Sequence, residues 1–114
     1  MKPIKFKSQW GNTYNIIFAK YNYANNNRIY IGCLCEDKEY GGFIPYCDVT
    51  INLNDKMPEG NYGFLDTNNG VPNLFNLMYE KGWIENTGMM GCSDFYVYPL
   101  VKFTDEFLKM IETN

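Results

Sequence analysis

A period-two pattern from Phe43 to Leu53, the cleanest in the sequence, constrains this 114-residue chain more than any other feature. Phe43, Pro45, Cys47, Val49, Ile51 and Leu53 interleave with Ile44, Tyr46, Asp48, Thr50 and Asn52. A period of two sends successive side chains to opposite faces, so the spacing predicts a strand with one face buried. Pro45 lacks an amide donor, which places its end of the strand at a sheet edge or a bulge.

The same period recurs elsewhere. Ile4, Phe6 and Ser8 alternate with Lys5 and Lys7; after a turn at Trp10-Gly11-Asn12, the pattern resumes at Tyr14, Ile16 and Phe18, giving an N-terminal hairpin. From Arg28 to Cys35, the residues Ile29, Ile31, Cys33 and Cys35 share one face, and Tyr30, Gly32 and Leu34 the other. Phe64-Leu65 reads as a short strand, with loops at 54–63 and 66–70, and Phe95, Val97, Pro99, Val101 and Phe103 form a last alternating strand.

Two segments change period. Pro72 suits a first helical position, and Leu74, Leu77 and Met78 make an apolar stripe at helical spacing. Lys81 complements the C-terminus of that helix, and Gly82 ends it. Thr104 caps a closing helix with Asp105 and Glu106 in its first turn and Phe107, Leu108 and Ile111 facing inward. Strands first and helices late argue for the α+β class. The expectation is a single domain over residues 1–114: an antiparallel sheet of about five strands, one helix after the fourth strand and one at the C-terminus.

Composition fits that fold. With 46% apolar and 20% charged residues, the chain is globular in character, and folding should bury roughly 65% of the unfolded surface. Ten Tyr, eight Phe and two Trp favour strands, and rings left at a surface favour recognition. No apolar run reaches the roughly 20 residues of a membrane span, and no apolar segment follows the charged start as in a signal peptide. A cytoplasmic protein with reduced thiols is expected.

The absence of histidine removes the commonest general base, the Ser-His and Cys-His nucleophile pairs and His-containing metal sites. Carboxylates could still move protons, as in a nuclease acting on RNA. However, Glu36, Asp37 and Glu39 form a charged turn, and Asp48 has no second acid assigned to it by spacing. Cys33 and Cys35 would be about 7 Å apart at Cα on one strand, and Cys47 and Cys92 are single, unlike the paired thiols of structural zinc sites. Cys33, Cys35 and Cys47 are expected to be reduced and mostly buried. Gly60, Gly63 and Gly70 fit neither a dinucleotide fingerprint nor a phosphate-binding loop. No catalytic residue, metal or cofactor is expected, and binding is favoured over catalysis.

Charge is divided unevenly. Residues 1–28 contain Lys2, Lys5, Lys7, Lys20 and Arg28 and no acid, whereas the remainder contains five bases and thirteen acids, so +5 and −8 give the net −3. This either marks a basic end and an acidic end on the surface, or lysines that protect a sheet edge.

The order of several segments identifies a relationship: Tyr23-Ala24-Asn25-Asn26-Asn27-Arg28, Asp48-Val49-Thr50-Ile51-Asn52-Leu53, Met57-Pro58-Glu59-Gly60, Phe64-Leu65-Asp66-Thr67-Asn68-Asn69, Ile84-Glu85-Asn86-Thr87-Gly88 and Tyr98-Pro99-Leu100-Val101. Across its whole length the chain resembles a domain-of-unknown-function family carried on conjugative elements, plasmids and prophages of Gram-positive bacteria. Its size, acidity and lack of catalytic residues look like those of an anti-CRISPR inhibitor of a type II RNA-guided nuclease. The resemblance implies a non-enzymatic protein that binds a CRISPR effector, or its guide RNA complex, and blocks guide loading or DNA engagement. An acidic face could compete for the basic nucleic-acid channels of such an enzyme. The residues expected there are Glu36, Asp37, Glu39, Asp66, Glu85 and Asp94, with Tyr40 and Tyr96 as anchors. The alternative is a nucleic-acid-binding accessory protein of a mobile element, using Lys5, Lys7, Lys20 and Arg28 for phosphates and Trp10 and Tyr21 for stacking.

Overall fold

The computed structural model describes residues 1–53 and 60–112. Eight strands and two helices follow in the order β1 (Ile4–Lys7), β2 (Thr13–Asn22), β3 (Ile29–Glu36), β4 (Phe43–Asp48), β5 (Thr50–Ile51), β6 (Tyr62–Leu65), α1 (Pro72–Glu80), β7 (Ile84–Ser93), β8 (Tyr96–Phe103) and α2 (Asp105–Glu112). They form two antiparallel four-stranded sheets, β1-β2-β3-β4 and β5-β6-β8-β7. The class is α+β as expected. The single sheet of about five strands is corrected to two sheets of four, and the first helix follows the sixth strand rather than the fourth.

The long alternating segment explains the difference, because it changes sheets at Val49. The Val49 amide donates to the Ile31 carbonyl of the first sheet at 2.9 Å, while its carbonyl accepts the Asp66 amide beside the second at 3.0 Å. Beyond this point Thr50 Oγ1 accepts the Ile31 amide at 3.1 Å, so the donor that loses its ladder partner remains satisfied. The alternation is also interrupted at β4. Cys47 lies opposite Cys33 but Pro45 opposite Leu34, which leaves Tyr46 as the extra residue of a bulge on an edge strand. This is the environment expected for Pro45.

The inner face of the first sheet supplies Phe6, Ile16, Phe18, Ile31 and Cys33 to the main core. Helix α1 covers it with Leu74, Phe75 and Met78, and α2 with Phe107 and Leu108. The Phe18 ring meets Phe107 edge-on at 5.3 Å and Trp83 at 5.9 Å, arrangements favoured by the ring quadrupole. Strand β8 alternates between two clusters. Val101 and Phe103 enter the main core, while Tyr98 and Leu100 join Leu53 and Phe64 in a smaller core.

Both helix boundaries follow the sequence signals. Gly82 takes a φ of +70°, and the amides of Gly82 and Trp83 donate to Tyr79 and Met78 carbonyls in a Schellman-type end. Thr104 Oγ1 accepts the Phe107 amide at 3.4 Å, and the same hydroxyl faces the Gly82 and Trp83 carbonyls at 3.0 and 3.2 Å. One side chain therefore caps α2 and ties it to the end of α1. Of the predicted loop at 54–63, residues 54–59 lie outside the described residues. No helix among the described residues is long and apolar enough to cross a membrane.

Candidate functional site

The β7–β8 hairpin presents the largest set of exposed apolar side chains. Its proximal half is anchored: Ile84 and Phe103 pair in the main core, and Gly91 and Tyr98 pair over the smaller one. Gly91 has no room for a side chain, since a Cβ there would fall 2.6 Å from Phe64 Cε1. Between these anchors β7 bulges over 87–89. Thr87 Oγ1 donates to the Leu100 carbonyl at 2.8 Å and accepts the Met89 amide at 3.1 Å, and Gly88 has a φ of +80°. Side chains thus replace the missing ladder bonds, and the edge is irregular where flat strands would invite pairing.

Beyond the bulge the hairpin becomes an arm. Met90, Cys92, Tyr96 and Val97 are exposed, and Phe95 at the two-residue turn is 98% exposed. Asp94 makes this turn by adopting a φ of +53°, a conformation that Asp tolerates better than most residues. Residues 84–101 contain two acids, Glu85 and Asp94, and no base. The arm is therefore an apolar finger with one acid, Asp94, at its tip, while Glu85 lies at its foot opposite Lys102. Sequence reasoning named Glu85, Asp94 and Tyr96, but missed the apolar set around Phe95. The available signal was the run Met89-Met90 followed by Phe95-Tyr96-Val97 around a short turn.

The remaining expected acidic positions lie elsewhere. Glu36 is exposed at the end of β3, and Glu39 and Tyr40 are exposed on the β3–β4 connection of the first sheet. The Asp37 carboxylate is half-buried and accepts the Glu39 amide at 3.0 Å. Asp66 is buried and accepts the Asn69 amide at 3.3 Å, shaping its own loop. The expected group therefore divides between two sheets and one interior position. The basic set also divides. Lys5, Lys7 and the exposed Trp10 share the β1–β2 hairpin, whereas Lys20, Tyr21 and Arg28 sit at the other end of β2. Arg28 Nη1 donates to the Leu53 carbonyl at 3.0 Å.

The outer face of the first sheet carries a second surface that the sequence did not reveal. Tyr23 and Tyr30 stack at 5.0 Å with an interplanar angle of 7°, and Tyr21 lies 5.6 Å from Tyr30. The Tyr30 hydroxyl donates to Asp48 Oδ1 at 2.6 Å. This hydrogen bond, followed by desolvation and the carboxylate charge, pushes the Tyr30 phenol up to about 12. A groove of about 330 Å³ runs past Tyr21, Tyr30, Leu34, Pro45, Cys47 and Asp48. Asp48, solitary in the sequence, thus has a phenol as its partner.

Of the three cysteines expected to be buried thiols, Cys33 and Cys35 are so and Cys47 is only partly so. Cys33 and Cys35 are buried, Cys47 is half-buried at the rim of the main core, and Cys92 is exposed on the arm. Among the described residues, no three His, Cys, Asp or Glu side chains converge on a point suited to a metal ion.

No curated protein and no solved structure matches the chain. A family model does, over residues 18–113, a span that runs from β2 into α2 and includes the whole arm. The chain belongs to the DUF4313 family, a domain of unknown function.

Proposed function

We propose that this protein is a non-enzymatic binding protein that docks on a basic protein surface through the β7–β8 arm. Phe95, Val97 and Met90 act as apolar anchors, and Glu85 and Asp94 as the acidic margin. The observation that carries this reading is the exposure of Phe95 at 98%, on a hairpin whose base is held by two cores. Clustered exposed apolar side chains mark interaction surfaces, and an aromatic anchor on an ordered element loses little entropy when it is covered. The hairpin is net acidic, with Glu85 and Asp94 against one base, Lys102, opposite Glu85 in the ladder, and this favours a partner with a basic rim, through faster encounter and rejection of acidic surfaces.

The partner class proposed from the family resemblance is a type II RNA-guided nuclease, with the gene carried on a mobile genetic element. Such enzymes hold guide and target in basic channels. An arm that reaches a channel rim would block guide loading or DNA engagement without chemistry. The test is guide-directed cleavage of target DNA, with the protein added before or after guide loading. Reversing Glu85 and Asp94 to lysine is expected to weaken inhibition by about tenfold at low salt, with the difference shrinking as salt rises. Absence of inhibition in either order of addition would reject the nuclease as partner. Equal inhibition by the reversed protein would reject the acidic margin.

A second reading, nucleic-acid binding, is favoured by the convergence of Lys5, Lys7 and Trp10 on one hairpin. A salt-dependent gel shift abolished by Lys5→Ala with Lys7→Ala would support it, and no shift at low salt would reject it.

A further inference from the structure

We infer that Cys33 and Cys47 form a dithiol site that a hydroperoxide oxidises to an intramolecular disulfide, with Cys47 as the attacking thiol and Cys33 as the resolving one. The two residues are direct partners across the antiparallel β3–β4 ladder. Directly opposed residues have Cα atoms about 4.5–5.5 Å apart, within the span of about 4.4–6.8 Å that a disulfide bridges. They also share a side-chain hydrogen bond, so their sulfurs already face each other.

The two thiols differ in a way that assigns their roles. Cys47 is half-buried on the edge strand, whereas Cys33 is only 1% exposed in the core. An oxidant from solvent therefore meets Cys47 first. The hydrogen bond donated by Cys33 stabilises a Cys47 thiolate and lowers its pKa, outweighing partial burial and the charges of Asp48 and Asp66. The same bond and deep burial hold Cys33 as a thiol. Cys35, two residues away, faces Ile44 across the ladder and has no opposed thiol.

In the first step the Cys47 sulfur attacks one peroxide oxygen; an S–O bond forms, the O–O bond breaks, and the departing oxygen takes a proton and leaves as water or alcohol. In the second step the Cys33 sulfur attacks the resulting sulfenic acid; an S–S bond forms, the S–O bond breaks, and hydroxide leaves with the Cys33 proton as water. Two thiols and one hydroperoxide give one disulfide, one water and one further water or alcohol. The exchange transfers two electrons.

The test uses the full chain with Cys92→Ser, which removes the exposed thiol and the intermolecular route. After treatment with hydrogen peroxide, peptide mass mapping under non-reducing conditions is expected to find a Cys33–Cys47 link that a dithiol reductant reverses. Lys38 separates the two cysteines, so a tryptic digest resolves them, and fragmentation distinguishes Cys33 from Cys35. Adding Cys33→Ala should abolish the link and turn Cys47 into a sulfenic acid trapped by dimedone. If Cys33 and Cys47 both remain thiols under conditions that fully oxidise a cysteine-containing peptide, the inference is overturned. A link formed through Cys35 instead of Cys33 would overturn it as well. Mapping of the protein that retains Cys33 decides between these outcomes even if Cys33→Ala does not fold.

Discussion

The Tyr30 ring lies along its strand over Gly32, where only hydrogen occupies the side-chain position; a Cβ at Gly32 would sit 3.8 Å from Tyr30 Cε1. Gly32 pairs with Asp48 across the ladder, so the ring that covers the glycine delivers its hydroxyl to the opposite carboxylate. The sequence pattern places Tyr30 and Gly32 on the outer face but leaves Asp48 without a partner. Strand spacing identifies which residues share a face, and does not say that a ring will lean two positions along it. The raised phenol pKa fixes the sign of a pH effect. Below the ordinary tyrosine value, about 10, the hydrogen bond contributes its full stability. That contribution declines as pH rises from there to about 12, where the folded phenol ionises. Burial raises Tyr23, Tyr46 and Tyr79 as well, so ultraviolet phenolate titration should show a late-ionising group of tyrosines, and Asp48→Asn should return one phenol of that group toward the ordinary range. An unchanged titration would separate Tyr30 from Asp48 in solution.

Elements with one wet and one dry face were legible, because burial imposes their period. β3 is an example, with Ile29, Ile31 and Cys33 buried on one face. β8, by contrast, buries Val101 and Phe103 in the main core and Tyr98 and Leu100 in the smaller one, so the expected face of Phe95, Val97, Pro99, Val101 and Phe103 is only half of what it covers. Strand β7 was not found by alternation, because only Ile84 and Gly91 of its ten residues are buried. An edge strand solvated on both faces has no reason to alternate, and Gly88 and Gly91 lower its strand propensity. Gly91 is nevertheless where the arm is fastened. Gly91→Ala would drive a methyl group into Phe64 and Leu53, both buried. Overpacking of this kind costs about 1–3 kcal/mol, measurable as a lower denaturation midpoint with an unchanged slope. A neutral effect would mean that the smaller core yields and the base of the arm is loose.

At the scale of the whole molecule, the class and both helix boundaries followed from local signals, while the number of sheets did not. A chain that turns from one sheet into another at a single residue, Val49, keeps the same alternation on both sides. The sequence pattern is blind to which neighbour each half will find. The candidate site was legible to the same extent: Glu85, Asp94 and Tyr96 could be named as surface residues, but their placement on one arm with Met90, Phe95 and Val97 depends on the β7–β8 pairing. In the proposed binding mode, the acidic residues would set the charge of the partner and the apolar tip the affinity.

Binding through the tip of this arm is tested most directly by replacing Phe95 and Val97 with aspartate and comparing thermal stability and nuclease inhibition with the parent protein. Both side chains lie outside the cores, so stability should change by no more than about 0.5 kcal/mol. Loss of aromatic and aliphatic anchors should weaken inhibition by at least about tenfold, corresponding to about 1.4 kcal/mol or more. Undiminished inhibition by a folded Phe95→Asp, Val97→Asp protein would contradict the assignment of the tip as the binding contact.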